Sequence, residues 1–124
     1  MIYLALGSIL LFGCLGGLSG YIGVRGKNET LPFAGRLGLY GAAFRTSEEI
    51  WIRAHSAAAP IFLMASAVSL LHGLGIAILG VLDQPSMAPL LHALMGSGVI
   101  VSGLLWWVAH RAGLSQVTRA GRDT

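Results

Sequence analysis

Three long stretches of this chain contain no Asp, Glu, Lys or Arg: residues 2–24, 57–82 and 88–109. Each meets the length of about 20 apolar residues that a helix needs to cross the hydrocarbon core of a bilayer. In hydrocarbon every backbone N–H and C=O must be satisfied by protein, which leaves only helices or a closed barrel. Barrel strands alternate apolar and polar residues, whereas these stretches run continuously apolar. The expected fold is all-α: one integral membrane domain over residues 1–124, with three transmembrane helices. Composition agrees, since only 10% of the residues are charged, against roughly a quarter in soluble domains. So few charges cannot clothe a water-soluble fold of this size, whose surface is large for its core.

Aromatic residues mark the ends of the spans, where amphipathic rings sit at headgroup level. Tyr3 and Tyr21 flank the first, and Trp106 and Trp107 close the third. The basic residues give an orientation. Arg25, Lys27, Arg36, Arg45 and Arg53 lie in the connection 25–56, and Arg111, Arg119 and Arg122 in the tail 110–124. The short connection Asp83–Met87 has no basic residue. The positive-inside rule then puts the first connection and the tail in the cytoplasm, with the N-terminus outside. A net charge of +3 is thus read as membrane topology, and no nucleic-acid partner is expected. Cys14 lies in the first apolar run with no Lys or Arg before it. It reads as a thiol within a membrane helix rather than a processing site.

Small residues recur at four-residue spacing, which lets helix backbones approach closely in lipid. Gly13 and Gly17 form one pair on the first span, and Gly16 and Gly20 another. On the second span Ala65, Ser69, Gly73 and Ala77 form a single stripe, and Gly98 with Ser102 repeats the pattern on the third. The four-member stripe marks the second span as the central packing helix or part of a dimer interface.

The connection 25–56 holds the strongest local signals. Thr46 reads as a helix N-cap, with Glu49 three residues on to complete a capping box. Ile50, Trp51 and Ala54 share one helical face, and Glu49 and Arg53 form an i, i+4 ion pair. Together these predict an interfacial amphipathic helix before the second span, with Pro60 as a kink where the two meet.

The run Gly35-Arg36-Leu37-Gly38-Leu39, then Arg45-Thr46-Ser47-Glu48-Glu49-Ile50-Trp51, then Arg53-Ala54-His55-Ser56-Ala57-Ala58-Ala59-Pro60 resembles the SdpI-like bacterial membrane proteins. That family carries a Gly-Arg segment, a Ser-acid-acid-x-Trp segment, and a His or Asn in a small-residue run. The resemblance covers about Gly35 to Pro60, and the order of spans around it also fits. Two positions depart: Tyr40 stands where Arg is usual, and Leu37 where Asn is common nearby. The resemblance implies a multi-pass protein of the bacterial inner membrane with an immunity or signalling role. Its candidate partner-binding residues are Arg36, Arg45, Glu48, Glu49, Trp51, Arg53 and His55.

Catalytic patterns are missing. Glu48 and Glu49 point about 100° apart on a helix and do not converge on one substrate. There is no phosphate-cradling loop, zinc signature or nucleophile motif, so no enzyme activity and no cofactor are expected. His72 and His92 both fall in the outer half of the spans and are weak candidates for metal or haem ligation. The alternative role is a non-catalytic accessory subunit of a larger respiratory or transport complex. Expected partners are the lipid bilayer and other membrane subunits or further copies of the chain.

Overall fold

The computed structural model describes residues 2–124, and no strand occurs among them. Three helices dominate: α1 (Ile2–Lys27), α2 (Glu48–Leu82) and α3 (Ala88–Arg122), with short 3₁₀ turns at Ala42–Arg45 and Pro85–Met87. All three are long and apolar enough to cross a membrane. At 1.5 Å per residue, α2 and α3 are each about 52 Å long. That is roughly 20 Å more than a hydrocarbon core requires. The surplus decides the shape of the basic end. There α2 and α3 continue as helices beyond the apolar stretches and enclose the connection from α1.

The helix ends follow local chemistry. Arg25 and Lys27 occupy the last turn of α1, where positive charge complements the helix dipole. Asp83 ends α2 in the left-handed region at φ 41°, its N–H donating to the Leu79 carbonyl at 3.1 Å. Pro85 opens the next turn and Pro89 sits in the first turn of α3, where a missing N–H costs nothing. Pro60 does not break α2, which runs from Glu48 to Leu82 without interruption. It removes only the donor that would have met the Ser56 carbonyl.

Helix α2 lies in the middle, with α1 and α3 packed along it and meeting each other mainly through side chains. Ala65, Ser69 and Gly73 are buried on α2, while Ala77 is half-buried. The glycine stripe on α1 differs from the expected one. Gly13 and Gly17 face nothing within 4 Å, whereas a Cβ on Gly16 would meet Leu70 at 2.7 Å and one on Gly20 would meet Ser66 at 2.9 Å. Both pairs have four-residue spacing, so spacing alone does not say which face turns toward α2. Gly23 and Gly26 continue the stripe, and a Cβ on Gly26 would stand 2.8 Å from the His55 carbonyl oxygen. On α3, Gly98 and Ser102 are both buried. Polar side chains link the helices: Ser66 Oγ donates to the Gly16 carbonyl at 2.7 Å, and Ser69 and Ser102 share a hydrogen bond at 3.0 Å. Trp106 Nε1 donates to Ser19 Oγ at 2.9 Å. Such bonds contribute about 0.6 kcal/mol each inside a bilayer.

Two apolar clusters result. One, at the end without Lys or Arg, joins Ala5, Phe12, Ile76, Leu79 and Leu91. The other, at the basic end, joins Ile22, Leu31, Leu39, Phe44, Trp51, Ala54, Phe62 and Ala109. The up–down–up path puts the C-terminal ends of α1 and α3 and the N-terminal end of α2 on one side. All eight Lys and Arg lie at that end.

Candidate functional site: the basic-end head

Residues 48–56 are the first turns of α2 and not a separate helix along a surface. The N-cap is Ser47, extended at φ −155°, with its hydroxyl accepting the Ile50 N–H at 3.2 Å. Thr46 is already helical at φ −73°, because it ends the 3₁₀ turn Ala42–Arg45, and its hydroxyl donates back to the Ala43 carbonyl at 3.3 Å. The cap is therefore one residue later than the sequence suggests. The third residue after it is Ile50, which has no carboxylate to close a capping box.

From this start Trp51 and His55 fall one turn apart on the inward face. Both are buried to within 1%, and their rings lie 4.1 Å apart. The connection from α1 folds over them. Trp51 Nε1 donates to the Leu31 carbonyl at 3.3 Å, and the Phe33 ring meets the indole edge-on. His55 Nδ1 lies 2.8 Å from the Trp51 carbonyl, which can only accept, so Nδ1 carries the proton. Nε2 is then the acceptor for the Leu39 N–H, also at 2.8 Å. Both ring nitrogens are used, and the neutral tautomer is fixed by its neighbours. His55 precedes the apolar stretch 57–82, and its pKa lies below the usual histidine value because burial disfavours the cation, outweighing the carbonyl bond to Trp51.

Gly38 makes this approach feasible. Its φ of +131° suits glycine, and a Cβ there would stand 2.5 Å from His55 Nε2 and 3.1 Å from the Trp51 ring. Arg45 fastens the rest of the connection. Its guanidinium donates to the Ala34 carbonyl at 2.8 Å and the Gly35 carbonyl at 3.1 Å, and it lies over the Trp51 ring at 5.7 Å. Phe44, fully buried, meets His110 of α3 edge-on. Gly113 gives α3 its close approach to Leu39 and Phe44.

The sequence-derived candidates thus separate into two groups. Trp51 and His55 are interior side chains that hold the connection, and the Arg45 guanidinium is committed to two backbone carbonyls. Arg36, Glu48, Glu49 and Arg53 are exposed. Glu49 and Arg53 form the expected ion pair at 2.7 Å. They border a cleft of about 530 Å³ whose other wall is the end of α3, at Val117, Gly121 and Asp123. Motif reading missed Leu31, Leu39, Phe44 and Gly113. These contribute backbone groups, apolar bulk or the lack of a side chain, and none stands out chemically in a sequence.

The two histidines of the apolar stretches have separate surroundings. His72 bonds the Val68 carbonyl and Ser97 Oγ, at 2.8 and 3.3 Å, and packs on Phe12. His92 is exposed and bonds the Ala88 carbonyl at 2.7 Å. Among the described residues no three His, Cys, Asp or Glu side chains are grouped as a metal site would need. Comparison with protein families, with characterised proteins and with solved structures finds no match.

Proposed function

We propose that this chain is a non-catalytic membrane protein of the SdpI-like type that serves immunity or signalling by presenting its basic-end head to a partner. It spans a bacterial inner membrane three times, with the N-terminus outside and the head in the cytoplasm. The observation that carries this reading is the construction of the head. The Gly35–Pro60 motif is spent on a fixed platform around Trp51 and His55, and beside it Glu49 and Arg53 line an open cleft against α3. All eight basic side chains on the head's side favour the cytoplasmic assignment. The partner is recognised through Glu48, Glu49 and Arg53, while Arg45, Trp51 and His55 hold the platform.

The test is co-purification in mild detergent, comparing the unaltered chain with Arg53→Glu. A partner recovered with the unaltered chain and lost with the charge reversal, at equal thermal stability, supports the reading. Equal recovery from both removes the cleft from partner binding.

A second reading, an accessory subunit of a larger respiratory or transport complex, is favoured by α1. Gly13 and Gly17 face no neighbour within 4 Å, so they leave a smooth strip on the helix surface, of the kind another helix packs against. A stoichiometric complex disrupted by Gly17→Leu but not by Arg53→Glu would support it.

A further inference from the structure

The segment from Phe33 to Tyr40 is fixed on its inner side and strongly apolar on its outer side. Leu39 is buried against Gly113, and Gly38 against His55. Phe33, Leu37 and Tyr40 instead expose 45%, 43% and 68% of their surface. They are not exposed because the segment is loose. A Pro32–Gly35 turn closes at 3.2 Å, Arg45 holds the Ala34 and Gly35 carbonyls, and the Tyr40 hydroxyl donates to the Arg36 carbonyl at 2.9 Å. Three large apolar side chains within eight residues, held outward by a rigid backbone around an exposed arginine, form a patch that single scattered residues do not.

The level of this segment along the bundle identifies what meets it. Gly26 of α1 abuts His55, and Gly113 of α3 abuts Leu39. Those glycines lie one and two residues beyond Arg25 and Arg111, whose guanidiniums rest over Tyr21 at 5.6 Å and Trp107 at 6.0 Å. Arginines stacked on ring residues at the ends of apolar helices mark the boundary between acyl chains and headgroups. The patch therefore lies level with the headgroup layer. Its charge is complementary to that layer, with Arg36 inside it and Arg25 and Lys27 at the nearby end of α1.

We propose that residues 33–40 are a membrane-surface anchor, with Phe33, Leu37 and Tyr40 seated at the headgroup–acyl boundary and Arg36 paired with the phosphate of an anionic lipid. Burying apolar side chains together with basic charge is how interfacial segments bind such surfaces. The anchor holds the head against the leaflet, so that the cleft at Glu49 and Arg53 keeps a set orientation to the membrane. This inference rests on the membrane reading above.

The experiment separates the two. Single cysteines at Leu37, Leu104 and Thr124, each in a Cys14→Ser background, carry nitroxide labels in the reconstituted full chain. Vesicles are phosphatidylcholine with or without phosphatidylglycerol, and the collision reagents are oxygen and a water-soluble nickel chelate. The expected result is a Leu37 label intermediate between Leu104 and Thr124, and more shielded from nickel when phosphatidylglycerol is present. Arg36→Gln should abolish that lipid-dependent gain. A Leu37 label as open to nickel as Thr124, with Leu104 still shielded, overturns the anchor alone. A Leu104 label open to nickel overturns the membrane reading and the anchor with it. Exclusion of both reagents from Leu37 means that protein covers the patch, which also overturns the proposal, as does shielding indifferent to phosphatidylglycerol.

Discussion

At the end of the bundle without Lys or Arg, helices meet through missing side chains. Gly73 faces Phe12, Gly80 faces Ala5, and Gly98 admits the Phe12 ring beside His72. At the basic end Gly26, Gly38 and Gly113 also give close approach, but what they admit is a set of large side chains, Trp51, His55, Phe44 and Arg45, each tied to backbone or ring partners across the chain. On the membrane reading proposed above, the difference reflects what surrounds each end. Lipid tails compete with no apolar contact by hydrophobic burial, so within the spans close approach and dispersion must hold the helices. The head must fix a twenty-residue connection outside the apolar stretches, and there buried aromatic area and matched hydrogen bonds carry the structure. One end should therefore respond to volume and the other to the identity of single polar atoms.

Trp51→Ala strikes the head hardest. It deletes a fully buried indole, its bond to Leu31 and the ring under Arg45. The loss expected is about 3–5 kcal/mol. Limited proteolysis should then cut within residues 28–47 while α1–α2 packing persists. Cleavage confined to the unaltered chain's own sites would show that the connection does not depend on this residue.

Gly16→Leu and Gly17→Leu test the span end with adjacent residues. The first drives a side chain into Leu70 and the Ser66 carbonyl, whereas the second meets nothing within 4 Å. Overpacking costs about 1–3 kcal/mol, so only Gly16→Leu should lower the melting temperature of the monomer in detergent. Equal losses would mean that α1 is rotated from the face described.

The same contrast explains what the sequence makes legible. Charge-free stretches locate three helices because one requirement, a predominantly apolar run long enough for a helix to cross a bilayer, applies along their whole length. Four-residue spacing finds small-residue stripes, yet Gly13–Gly17 and Gly16–Gly20 look alike, and only the partner α2 distinguishes them. In the head, Trp51 and His55 are visible as unusual residues but not as buried ones. Their covers, Leu31, Gly38 and Leu39, come from elsewhere in the chain. The cap falls on Ser47 and not Thr46 because a 3₁₀ turn ends at its neighbour, a tertiary detail that Ser/Thr preference cannot resolve.

His55 gives the head a pH dependence of its own. Folding holds it neutral with a lowered pKa, while the unfolded chain takes up a proton near 6.5. Between the folded and unfolded values the unfolded state binds more protons, so stability is complete above about pH 6.5 and declines as pH falls below it. The slope is at most about 1.4 kcal/mol per pH unit for one proton. Protonation also places a donor at Nε2, facing the Leu39 N–H. Hydrogen exchange of the Leu39 amide should quicken on acidification more than the pH dependence of exchange chemistry explains. His55→Gln should flatten that response, and a slope that survives the substitution assigns it to another group.

The smallest effect should come from the most conspicuous charges in the motif. Glu49 and Arg53 are joined at 2.7 Å, but their side chains are 71% and 53% exposed. An i, i+4 pair on a wet helix face contributes about 0.3–0.5 kcal/mol and weakens with salt. Ser47→Ala, by contrast, removes the hydroxyl that accepts the Ile50 N–H and should cost about 1 kcal/mol, with Thr46→Ala costing less. Comparing the single and double alanine variants of Glu49 and Arg53 in a thermodynamic cycle isolates the pair. Its coupling should stay below that of the Ser47 cap and fade as salt is raised. A coupling that exceeds the cap and resists salt would place the pair out of water, closed into its cleft against α3. The head would then be a sealed core at that edge and no longer an open surface for a partner.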